Sequence, residues 1–127
     1  MIKVIALDVG SKNVGVARSR SGVIAEPVAV WPRRPQTAFL QQLRDLLDTE
    51  QVELVVIGQP AKLTVLQQVD FDEFIHEVER LGVPVELIDE DFSTQEAQAR
   101  TKPKTKQPRG HADAVAAQII LERYLER

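Results

Sequence analysis

The stretch Val4-Ile5-Ala6-Leu7 constrains this chain more than any other. An extended run with no polar face cannot lie against water on either side. Residues 2–8 therefore predict a strand at the centre of a sheet covered on both faces. The run then ends on Asp8, and the chain turns past Gly10 into a second β-rich stretch over 13–19. A surface turn would account for that acid. So would a site that needs negative charge at the end of a central strand.

The remaining pattern supplies the partners of that strand. Residues 22–30 are β-rich and follow Ser21-Gly22, a hairpin signal, so the first 30 residues predict a three-stranded antiparallel meander. Trp31-Pro32-Arg33-Arg34-Pro35 breaks the pattern with two prolines. Phe39, Leu40, Leu43, Leu46 and Leu47 recur at helical spacing over 36–49. VELVVI at 52–57 predicts a strand closed by Gly58-Gln59-Pro60. Val69, Phe74, Ile75, Val78 and Leu81 predict a helix over 69–81, with Gly82 as its stop. A strand at 83–88 follows. Ser93 and Glu96 have the spacing of a capping box and predict a short helix. Residues 101–110, TKPKTKQPRG, predict a loop, and a last helix runs over about 111–126. The whole is an α/β chain of about five strands, a meander plus parallel strands, with helices on both faces. Its length of 127 residues suits one domain, 1–127.

Composition narrows the setting. No apolar run is long enough to span a membrane, and the first residues lack the features of a secretory signal. The absence of cysteine excludes disulfides and thiolate metal sites and suits a cytoplasmic protein. The net charge of −3 conceals segregation: +4 over residues 1–34, −11 over 35–99 and +4 over 100–127. Two basic ends that met in space would form a surface for a polyanion.

Three acids stand where packing would favour apolar residues. Asp8 ends the central strand. Asp89-Glu90-Asp91 follows the VPVELI strand, at the end where open α/β sheets place ligands. Asp113 sits near the start of the last helix, with Ala116, Ala117 and Ile120 as its neighbours at helical spacing. Separately they read as a turn residue, solvated loop acids and a favourable charge at a helix N-terminus. Together they would repel one another, so their convergence implies a cation. Oxygen donors alone suit Mg²⁺ or Mn²⁺, and carboxylate-held metals are a common means of cutting phosphodiesters.

These residues resemble a known family. DVGSKNVGVA, VVIGQP, VELIDEDFSTQEA and HADAVAAQIILERYL are similar, in that order, to the motifs of the YqgF/RuvX proteins. These are Holliday-junction-resolvase-like members of the RNase H-like superfamily. The resemblance covers nearly the whole chain. It implies an RNase H-like fold and a metal-dependent nuclease whose catalytic and metal-binding acids are Asp8, Glu90 and Asp113. The choice of Glu90 over Asp89 and Asp91 rests on the family pattern. Gly10 and Gly15 correspond to the glycines of the first hairpin, Gly58 and Pro60 to a Gly-x-Pro loop, and Ser93 and Thr94 to a hydroxyl pair after the second acid. Lys102, Lys104, Lys106 and Arg109 occupy the family's basic loop and, with Lys12, are expected to contact the nucleic-acid backbone. His111 is either an exposed helix-start residue or an aid to protonating the leaving oxygen. Trp31 reads as packing before base stacking.

Asn13, Asp91 and the short segment after Pro60 depart from the family pattern, and the first two remove positive charge near the site. The resemblance implies two substrates: the 5′ end of precursor 16S ribosomal RNA, which is preferred, and four-way DNA junctions. Junction resolution requires a symmetric dimer, and the sequence reserves no obvious apolar face for one. A monomer or weak homodimer is expected. A non-enzymatic RNA-binding regulator is the alternative from another class.

Overall fold

The computed structural model describes residues 2–89 and 111–126, with side chains in the last helix described from residue 114 onward. Five strands, β1 (Val4–Val9), β2 (Asn13–Ser19), β3 (Glu26–Pro32), β4 (Leu54–Gln59) and β5 (Val85–Asp89), form one sheet in the order β3-β2-β1-β4-β5. The first three make the antiparallel meander, and β1, β4 and β5 run parallel. The helices are α1 (Gln36–Glu50), α2 (Val65–Glu79) and α3 (His111–Leu125).

Strand β1 is buried on both sides because its side chains alternate between two cores. Ile5 and Leu7 face Phe39 and Leu43 of α1 and Phe71, Phe74 and Val78 of α2. Val4 and Ala6 face Ala117, Ile120 and Leu121 of α3. Ala6, Ala17 and Ala117 meet in this second layer, and their short side chains let α3 lie close to the sheet.

Several boundaries differ from the sequence expectation by a few residues, and three of them have a visible cause. Strand β3 begins at Glu26 rather than 22, because serine hydroxyls organise the chain before it. The Oγ of Ser19 accepts from the Gly22 amide (3.0 Å), and that of Ser21 from Val23 and Ile24 (3.1 and 3.2 Å). β3 also continues through Trp31 and Pro32, since an edge strand tolerates proline. Trp31 meets Phe39 edge-on at 6.1 Å, in accord with its packing role. Helix α2 starts at Val65 because Thr64 and Gln67 form a reciprocal capping box at 3.1 and 3.0 Å. Its buried residues are Phe71, Phe74 and Val78, whereas Val69 is half exposed.

The surface carries apolar residues the sequence did not single out: Val65 and Leu66 on α2, and Val23 and Ile24 before β3. Among the described residues, no helix is long and apolar enough to cross a membrane.

Candidate active site at the carboxyl end of the sheet

Asp8 lies in the last turn of the pleat of β1, half-buried, directly across from Gly15 on β2. The residue directly opposite therefore places no side chain at the register position of this carboxylate. Because β1, β4 and β5 are parallel, their carboxyl ends fall on one edge of the sheet: Asp8 and Val9, Gly58 and Gln59, and Ile88 and Asp89. β5 ends at Asp89, the residue immediately before Glu90.

Helix α3 brings its own N-terminus to this edge. Tyr124 and Leu125, at its C-terminal end, line a hollow with Ile2, next to the opposite end of β1. From residue 124 back to 113 the helix rises roughly 16 Å. Residues 2 to 8 of an extended strand cover roughly 20 Å. The helix crosses the sheet face over Ala6 and Ala17, so its first turn arrives near the level of Asp8. Backbone geometry thus carries position 113 toward the acid end of β1.

The β1–β2 turn over residues 10–13 borders the same edge and presents Lys12 to solvent. It is tight: the Gly10 amide donates to the Asn13 carbonyl at 2.8 Å. A Cβ on Gly10 would stand 2.8 Å from that oxygen, a distance no side chain tolerates. Sequence reasoning did not single out Arg33 beside this turn. Its guanidinium is nearly buried, donating from Nη1 to the Gly10 carbonyl (3.2 Å) and from Nη2 to Asp70 (2.7 Å), and it lies 5.2 Å from the centre of the Phe74 ring. Its backbone amide donates to the Lys12 carbonyl at 2.8 Å. In sequence Arg33 was one of two arginines in a proline-flanked break, with no pattern linking it to Asp70.

A small cavity of about 170 Å³ opens on the α1/α2 face of this edge, lined by Val9, Gly10, Ser11, Leu63, Asp70 and Phe71 among others. Asp8, one step along the alternation from Leu7 and Val9, is directed to the α3 face. A larger hollow of about 690 Å³ lies between Val23, Ile24 and Gln118, Leu125. It sits toward the far end of α3, and Asp8 is not among its lining residues.

Of the expected site residues, the structure describes the side chains of Asp8 and Lys12 and the backbone of Gly10. Glu90, Ser93, Thr94, Lys102, Lys104, Lys106 and Arg109 lie outside the described residues, as do the side chains of His111 and Asp113. Among the described residues no three potential ligands form a metal cluster, and only one of the three expected acids is among them.

Comparison with known proteins gives this arrangement a context. Residues 2–127 match the family RuvX, described as "Holliday junction resolvase". A relative from Thermus thermophilus, named "Putative pre-16S rRNA nuclease", is 34% identical, with 99% of this chain and 98% of the relative covered. One of the same name from Thermosynechococcus vestitus is 33% identical over 99% of this chain and 89% of its own. Among solved structures, T. thermophilus RuvC in complex with a Holliday junction substrate superposes with a TM-score of 0.63 at 16% identity, covering 94% and 92% of the two chains. The fowlpox virus resolvase bound to Holliday junction DNA gives 0.57 at 12% identity, covering 98% and 97%. At those identities the likeness concerns the fold, which is RNase H-like.

Proposed function

The chain belongs to the RuvX family, and from that premise we propose that it is a nuclease that hydrolyses phosphodiester bonds of nucleic acid with the help of Mg²⁺ or Mn²⁺. The observation that carries this reading is the position of Asp8. It stands at the carboxyl end of the central strand, opposite a glycine, on the sheet edge where the parallel strands also end.

The donor set fits a hard divalent cation: carboxylates from Asp8, Glu90 and Asp113, with no thiolate anywhere in the chain. Bound there, such an ion would lower the pKa of a water and offset charge building on the scissile phosphate. Asp8, held by a strand bonded on both sides, supplies a ligand that needs little reorganisation. Glu90 and Asp113 complete the set from the segment after β5 and from α3. Lys12, Lys102, Lys104, Lys106 and Arg109 hold the nucleic-acid backbone in register. Ser93 and Thr94, the hydroxyl pair that follows Glu90 in sequence, are auxiliary to the site, and His111 protonates the departing oxygen.

The preferred substrate is the 5′ end of precursor 16S ribosomal RNA, in keeping with the names of the relatives. The protein acts in the cytoplasm as one RNase H-like domain, a monomer or weak homodimer. Asp8→Asn should abolish Mn²⁺- or Mg²⁺-dependent cleavage of structured RNA while keeping the fold and most of the RNA affinity. Full activity in the pure variant would sink the mechanism. The family description favours a second reading, resolution of four-way DNA junctions by a dimer. Paired symmetric nicks in junction DNA, together with a dimeric mass in solution, would establish it over RNA processing.

A further inference from the structure

Arg33 has a place in this site that no motif assigns. The turn over residues 10–13 is exposed and closes on a single internal hydrogen bond, from the Gly10 amide to the Asn13 carbonyl. Apart from the strand ladder, two further bonds reach it among the described residues, and Arg33 makes both. Its backbone amide donates to the Lys12 carbonyl, and its Nη1 to the Gly10 carbonyl. The guanidinium is itself immobilised by Asp70 of α2 at 2.7 Å and by the face of Phe74. With its side chain 9% exposed, it is turned inward and not available to a phosphate. A buried arginine fixed by a carboxylate and an aromatic ring loses little further freedom in holding a third group.

We propose that Arg33 is a positioning residue: anchored on α2 by Asp70 and Phe74, it fixes the turn that presents Lys12 at the edge of the sheet where β1 ends, and thereby sets the grip on the nucleic-acid backbone. This rests on the nucleic-acid reading of the site given above. The turn follows Asp8 by two residues, so its rigidity decides whether the Lys12 ammonium stands at one place relative to the acid or samples many. A contact to a polyanion that must first be ordered is weakened by the entropy of ordering it.

The test joins two readouts, neither of which involves cleavage. Amide hydrogen exchange at Gly10 is measured in the wild-type chain, Arg33→Met, Arg33→Lys and Asp70→Asn. The Kd for a fluorescent RNA hairpin with a single-stranded end is measured by anisotropy without divalent metal, for each chain with and without Lys12→Ala. Exchange at Gly10 should rise about tenfold in Arg33→Met, because the local opening becomes easier. Lys12→Ala should weaken RNA binding about three- to tenfold in the wild-type chain, the scale of one charged contact. It should add nothing in the Arg33→Met chain, with Arg33→Lys between the two. Unchanged Gly10 exchange overturns the proposal, and so do penalties that simply multiply, which would leave Arg33 a stabilising residue only. If Arg33→Met does not fold, Asp70→Asn carries the same two readouts, since Asp70 acts on the turn through the Arg33 guanidinium that it holds. A wild-type chain that binds no RNA overturns the functional reading, and Gly10 exchange still decides whether Arg33 holds the turn.

Discussion

At the scale of single residues, the site edge is organised by what is missing from side chains as much as by what they offer. Gly15 leaves space opposite Asp8, and Gly10 lets the chain reverse within four residues. Gly10→Ala tests the second point. Its new methyl would meet the Asn13 carbonyl at 2.8 Å, and that carbonyl is already engaged by the Gly10 amide. Relief requires the turn to open. The variant should lose about 1–3 kcal/mol of stability, in the range of an overpacked site, read as a lower urea midpoint at constant slope. A midpoint equal to wild type would show that the turn relaxes freely. Asp8 and the glycines were legible as residues in the sequence because they interrupt a strong apolar pattern. Arg33 and Asp70 were not, because their partnership spans 37 positions and neither interrupts a periodicity. A pair that exists only through tertiary contact leaves no local trace.

At the scale of elements, the sequence carried the order and pairing of strands well, since each apolar run had one plausible place in an α/β sheet. It misjudged where elements begin. The start of α2 is set by Thr64 and Gln67, whose side chains satisfy two amides at its start, whereas apolar spacing alone places it at Val69. Thr64→Ala should therefore cost about 1 kcal/mol, measured by chemical denaturation, and Thr64→Ser should recover most of it. The helix that delivers Asp113 offers a sharper comparison. Ala117 packs with Ala6 and Ala17 beneath α3, so Ala117→Leu should lift the helix from the sheet at a cost of about 1–3 kcal/mol. Leu43→Ala damages the opposite layer, where α1 packs, at a cost of about 2–5 kcal/mol. Assayed where both remain folded, Ala117→Leu should lose far more metal-dependent cleavage than Leu43→Ala, although it is the less destabilised. Equal losses would mean that the position of α3 does not matter to the chemistry.

At the scale of the whole molecule, the segregation of charge decides how a protein of net charge −3 can hold a polyanion. Part of the N-terminal positive charge is already engaged. Arg18 and Arg20 pair with Glu50 at 3.5 and 3.2 Å, Arg18 also approaches Glu26 at 3.9 Å, and Arg33 pairs with Asp70. Arg20 and Glu50 line a hollow with Lys3 near the start of β1, away from the edge where Asp8 stands. Lys12 is left at the site edge, and the basic run Lys102, Lys104, Lys106 and Arg109 precedes the helix that bears Asp113. If that run grips the backbone, changing all four to Gln should lower the slope of log K against log salt by about 3 on single-stranded RNA, each phosphate contact contributing about 0.7. The loss of affinity should be uniform across sequences, because phosphates carry no base information. Arg18→Gln with Arg20→Gln removes two charges of the same sign at the other end of the sheet and should leave the slope unchanged. Binding measured without metal from about 50 to 200 mM salt separates the outcomes. A slope lowered in the double variant by about half as much as in the fourfold variant would mean that affinity follows net charge alone, whereas a change confined to the fourfold variant locates the nucleic-acid path along the edge that holds Asp8.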